Sequence, residues 1–97
     1  MGDPITVVKE MGLSHREFFR TIVSALGTDK FEKWDTRILL TTRDQTIEIT
    51  LGVEGERRIA LMVVPRTMVT LTFTSYTQAQ ADAVLKRFDM MFKRGGG

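Results

Sequence analysis

The chain has 97 residues, 42% of them apolar and 27% charged, with a net charge of +2 and no cysteine. One hydrophobic core fits that length, and the apolar content argues against wholesale disorder. The missing cysteines exclude disulfides, zinc ribbons, thiol nucleophiles and iron–sulfur ligation and suit a reducing compartment, while two surplus positive charges make a poor track for phosphates.

The β-branched cluster Ile5-Thr6-Val7-Val8 predicts a short strand over residues 5–9, because branched side chains lose freedom in a helix and pack well in a sheet. A helix follows over residues 13–26. Ser14 and Glu17 form a capping box, Leu13 and Phe18 a hydrophobic staple, and Gly27 a left-handed stop. Its apolar stripe is Phe18, Phe19, Ile22, Val23 and Leu26. Residues 28–35 read as a polar connection whose Phe31 and Trp34 fold over the core's edge.

Residues 36–74 predict four strands, because apolar residues recur at every second position: Ile38, Leu40, Thr42; Ile47, Ile49, Leu51; Ile59, Leu61, Val63; Val69, Leu71, Phe73. Turns are expected at Asp44-Gln45, at the two glycines of residues 52–56, and at Val64-Pro65-Arg66-Thr67. A shared apolar face then gives the inward rows Ile38-Leu51-Ile59-Phe73, Leu40-Ile49-Leu61-Leu71 and Thr42-Ile47-Val63-Val69. A last helix spans residues 77–93, with a Thr77/Gln80 capping box and a stripe of Ala81, Val84, Leu85, Phe88, Met91 and Phe92. Residues 1–94 form one domain in this reading, and Gly95-Gly96-Gly97 a flexible tail.

The expected fold is α+β, a single antiparallel meander with both helices on its apolar face, in the order βαββββα. In architecture this resembles the TATA-binding-protein-like fold, which also appears with variations in helix-grip ligand binders. The resemblance implies two alternatives for function. One is a small apolar ligand held between the second helix and the sheet. The other is a nucleic-acid-binding module, which is disfavoured because the outward face carries no aromatic residue for wedging or stacking and the chain has one repeat, not two.

Nothing in the sequence is left over to cover the sheet's other face. Leu39, Met62, Val64 and Met68, with Arg37 and Arg58 beside them, are therefore the candidate interface, and a homodimer is the simplest partner. His15, Arg16 and Arg20, near the start of the first helix, are the candidate anion site. No paired carboxylates, nucleophile triad or metal-ligand spacing is present, so neither catalysis nor a cofactor is expected. The Gly-Gly ending is similar to that of ubiquitin-like carriers, although a helix rather than a strand leads into it. No segment is long and apolar enough for a membrane span, and residues 1–13 lack the pattern of a secretion signal. The expectation is a cytoplasmic, non-enzymatic binding domain that self-associates through its open sheet face.

Overall fold

One long strand carries the architecture. β6 (Met62–Thr74) runs for 13 residues, about 40 Å at roughly 3.3 Å per residue, and so accounts for most of the molecule's 48 Å long axis. This computed structural model describes residues 3–94; Met1, Gly2 and the glycine tail expected at residues 95–97 lie outside them. The C-terminal half of β6 lies between β1 (Ile5–Met11) and β4 (Gln45–Leu51). Beyond β4 come β3 (Arg37–Thr42) and the short β2 (Glu32–Trp34), so the path reads β1-β6-β4-β3-β2, antiparallel throughout. The N-terminal half of β6 pairs with β5 (Gly55–Ile59) instead.

Odd-numbered positions of β4 and β6 point to one side, and that side is the core. Ile47, Ile49, Leu51, Val69, Leu71 and Phe73 are buried there with Ile38 of β3. Over them lie α1 (His15–Leu26), which buries Phe18, Ile22 and Ala25, and α2 (Gln78–Arg94), which buries Ala81, Phe88 and Phe92. Both helices therefore cover the same face, as the two amphipathic stripes require. Phe18 joins them: its ring stacks on Phe92 at 5.2 Å and meets Phe19 edge-on at 5.7 Å.

Local chemistry sets the helix ends. The Ser14 hydroxyl accepts the Glu17 N–H, and the Glu17 carboxylate accepts the Ser14 N–H at 3.0 Å. Gly27 adopts φ 74 and donates its N–H to the Val23 carbonyl. Thr77 and Gln80 make the equivalent reciprocal pair at α2.

The structure corrects several expectations. Val23 is exposed, because Ala25 rather than Val23 completes the buried stripe of α1. Trp34 lies on the edge strand β2 and stays 45% exposed instead of covering the core. The first hairpin turns at Arg43-Asp44, with Arg43 at φ 55, so Ile38 pairs with Ile49 and Leu40 with Ile47. That register lies two residues from the expected one and keeps the same face inward.

The larger correction concerns Ile59, Leu61 and Val63, which are 54%, 102% and 50% exposed and belong to no inward row. The chain turns at Ala60-Leu61, with Ala60 at φ 54, whereas Pro65 lies inside β6 opposite Glu56. β4 and β5 do not pair with each other; they follow one another along the same side of β6. Between them residues 52–54 face residues 67–68, one residue more than the partner strand supplies, as in a β-bulge. The result is an arm, β5 with the first half of β6, that runs past the helices.

Candidate interaction surface

Two rows of side chains cross the sheet on the side away from the helices. One is Thr6-Thr72-Glu48-Leu39-Glu32, the other Val8-Thr70-Thr50-Arg37-Trp34. Threonine supplies two of the five residues in each row, and the charges of Arg37 and Glu48 meet across them. The Arg37 guanidinium bonds the Glu48 carboxylate and lies 4.5 Å from the centre of the Trp34 ring. Leu39 is half-buried beside them. Over the body of the domain this face is mixed, with Val8 and Trp34 exposed at opposite ends of the second row and polar side chains between them.

A contiguous group of exposed apolar residues lies on and beside the arm, whereas Val8, Val23, Trp34 and Met90 are exposed elsewhere. Alternation along β6 puts Met68, Val64 and Met62 on the open face, with Met68 40% and Met62 65% exposed. Arg57 and Ile59 of β5 pair with Val64 and Met62 and share that side. A cleft of about 250 Å³ opens at the arm's base against Ile59, Val64 and Pro65, rimmed by Arg57 and by the Arg66–Glu10 ion pair at 3.4 Å. At the tip Leu61 touches nothing.

The six residues expected to form an interface therefore separate. Met62, Val64 and Met68 line one strip of β6, Arg37 and Leu39 lie two strands away on β3, and Arg58, opposite Val63, points to the helix side of the arm. The structure adds Val53, Ile59, Leu61 and Val63 to the exposed apolar set. A trace of this was present in the sequence: Ile59 to Val64 is an unbroken apolar run between Arg58 and Pro65, where alternation is lost.

Of the three residues proposed for anion binding, His15 is bonded within the chain, while Arg16 and Arg20 stand exposed beside it. The His15 N–H donates to the Glu54 carboxylate at 2.8 Å, and its Nε2–H donates to the Gly52 carbonyl at 2.7 Å. Because a carbonyl can only accept, Nε2 carries the proton. The positive end of α1 thus already holds two carboxylates of its own chain, Glu54 and Glu17. Backbone and side-chain bonds from Ser14, in that order, with a smaller contribution from Arg20, hold Glu17 below the ordinary carboxylate range. His15 works as a latch between α1 and the root of the arm.

Between helices and sheet the space is filled by fully buried side chains, Phe88 and Ala81 of α2 among them. Among the described residues no group of three His, Cys, Asp or Glu side chains could hold a metal ion, and no helix is long and apolar enough to cross a membrane. No protein-family model, curated protein or solved structure matches the chain.

Proposed function

We propose that the protein is a non-enzymatic binding domain that self-associates as a homodimer, using the projecting arm and the adjoining strip of the open sheet face. One observation carries this reading. Ile59, Leu61, Met62 and Val63 are each at least half exposed, on a two-stranded ribbon that no other part of the described chain covers. Isolated exposed apolar residues are ordinary, but a contiguous set on a protruding element is what association surfaces present. A second copy of the chain supplies an equal surface, and a two-fold arrangement satisfies both at once. The cysteine-free sequence suits a reducing compartment such as the cytoplasm.

Sedimentation velocity over a concentration series tests the proposal. Wild type should shift from monomer to dimer by tens of micromolar, whereas a Leu61→Glu/Met62→Glu variant stays monomeric. A wild type that sediments as a monomer throughout refutes self-association.

A further inference from the structure

Taking the homodimer of the preceding section as given, we infer that the two copies join edge to edge along β5, antiparallel about a two-fold axis at Arg57, so that one sheet runs through both molecules. The backbone of the arm selects this edge. Met68 turns its carbonyl toward the Gly52 N–H, so alternation along β6 also directs Arg66, Val64 and Met62 toward β5. Their partners Gly55, Arg57 and Ile59 answer them. Glu56 and Arg58 therefore point their N–H and C=O groups outward, unpaired. The arm's other edge is β6 itself, and Pro65 stands on it with no N–H to offer, which discourages strand addition there. Only the β5 edge of the arm is open to a partner strand.

Side-chain charge then selects the register. A two-fold axis perpendicular to a sheet keeps each residue on its own face, so only residues of equal parity can stand opposite one another. Centred on Arg58, pairing sets that residue against its own copy, with no opposite charges facing; centred on Glu56, it sets Glu56 against its own copy and leaves Arg58 only Glu54, which lies outside β5 and already accepts the His15 N–H. Centred on Arg57, it sets Glu56 against Arg58 of the second copy, and Arg58 against the second copy's Glu56. These two complementary pairs outweigh the single Arg57–Arg57 encounter on the axis, where long side chains in water can splay apart. The same spacing lays Ile59 over Gly55 of the second copy, which has no side chain to obstruct it. It also brings Leu61 level with Val53 of the second copy. Leu61 and Val53 are 102% and 93% exposed, more than any other large apolar residue in the described chain. Backbone, charge and apolar exposure thus converge on one register. The domain's other long edge, β1, has no equivalent: the parity rule never sets Lys9 opposite Glu10, and within Ile5–Met11 no two-fold register opposes unlike charges.

Sedimentation equilibrium at low salt tests the register with four chains beside wild type. Glu56→Arg and Arg58→Glu should each weaken dimerisation by about tenfold or more, and the double swap Glu56→Arg/Arg58→Glu should restore it to within about threefold of wild type. Arg58→Pro removes an outward N–H without touching the β5–β6 ladder and should leave a monomer. A swap that stays as weak as the single reversals, or a proline variant that pairs like wild type, overturns the β5 junction while leaving self-association standing. A monomeric wild type removes both.

Discussion

Replacing Leu61 by alanine separates the projecting arm from the four-strand meander that alternation alone suggests. In the meander Leu61 occupies an inward row beside Ile49 and Leu71, and truncating a buried leucine costs about 2–5 kcal/mol. On the arm the side chain is 102% exposed, so no contact is lost and no cavity opens; the expected change is within about 0.5 kcal/mol. Leu71→Ala is the internal control, since Leu71 is fully buried between Val7 and Ile49. Urea unfolding at submicromolar protein keeps association out of the measurement. With a slope of about 1–1.5 kcal/mol per molar for a domain of this size, a loss of about 3 kcal/mol in Leu71→Ala lowers the midpoint by about 2–3 M, while Leu61→Ala overlays wild type. A Leu61→Ala midpoint that falls as far as the control's refutes the arm.

Ala60→Gly should be neutral or slightly stabilising in the same assay, because a left-handed alanine at φ 54 is strained by roughly 1 kcal/mol; within a strand the substitution would destabilise. Ser14→Ala removes the acceptor for the Glu17 N–H and should cost about 1 kcal/mol. The lowered Glu17 acidity means that its carboxylate stabilises the fold at pH values above the unfolded value of about 4.3, and that this stabilisation fades as pH falls through the folded value. The melting-temperature gap between wild type and Glu17→Gln should therefore be widest near neutrality and close in acid. Glu54→Gln, which takes a full charge from the start of α1, should cost about 0.3–1 kcal/mol and speed amide exchange at residues 52–54. Unchanged exchange there would mean that the His15 latch does not hold the root of the arm.

The sequence revealed most where local chemistry and burial agree. Ser14 with Glu17, Gly27, and Thr77 with Gln80 end their helices as expected, because a cap is decided within four residues. Ile47, Ile49, Leu51, Val69, Leu71 and Phe73 face inward because alternation on a one-sided sheet fixes the face even when register slips by two. The arm was hidden for the opposite reason. Ile59, Leu61 and Val63 keep the every-second-residue spacing of the inward rows even though the positions between them are apolar too, and Pro65 is a ready turn residue, whereas the actual turn at Ala60-Leu61 contains neither glycine nor asparagine. The pairing of β1 beside β6 was also illegible, because a contact across some sixty residues leaves no mark in either segment.

That hidden element is also the one whose apolar residues the fold does not use. Leu13, Phe18, Ile22, Phe73, Phe88 and their neighbours close the core without a side chain from β5 or the turn after it. Even so, the arm is held firmly. It continues a strand whose other half lies in the middle of the sheet, and Thr67 at its root bonds the Leu13 carbonyl at 2.8 Å. Arg66 pairs with Glu10, and Glu54 grips the start of α1. A loop left over from folding would have no need of such anchorage, and exposed leucine, methionine and valine on it would only promote indiscriminate aggregation. In the proposed dimer, a ribbon with a proline on one edge and self-complementary charges on the other would restrict pairing to one strand and one register, giving those apolar side chains a defined contact.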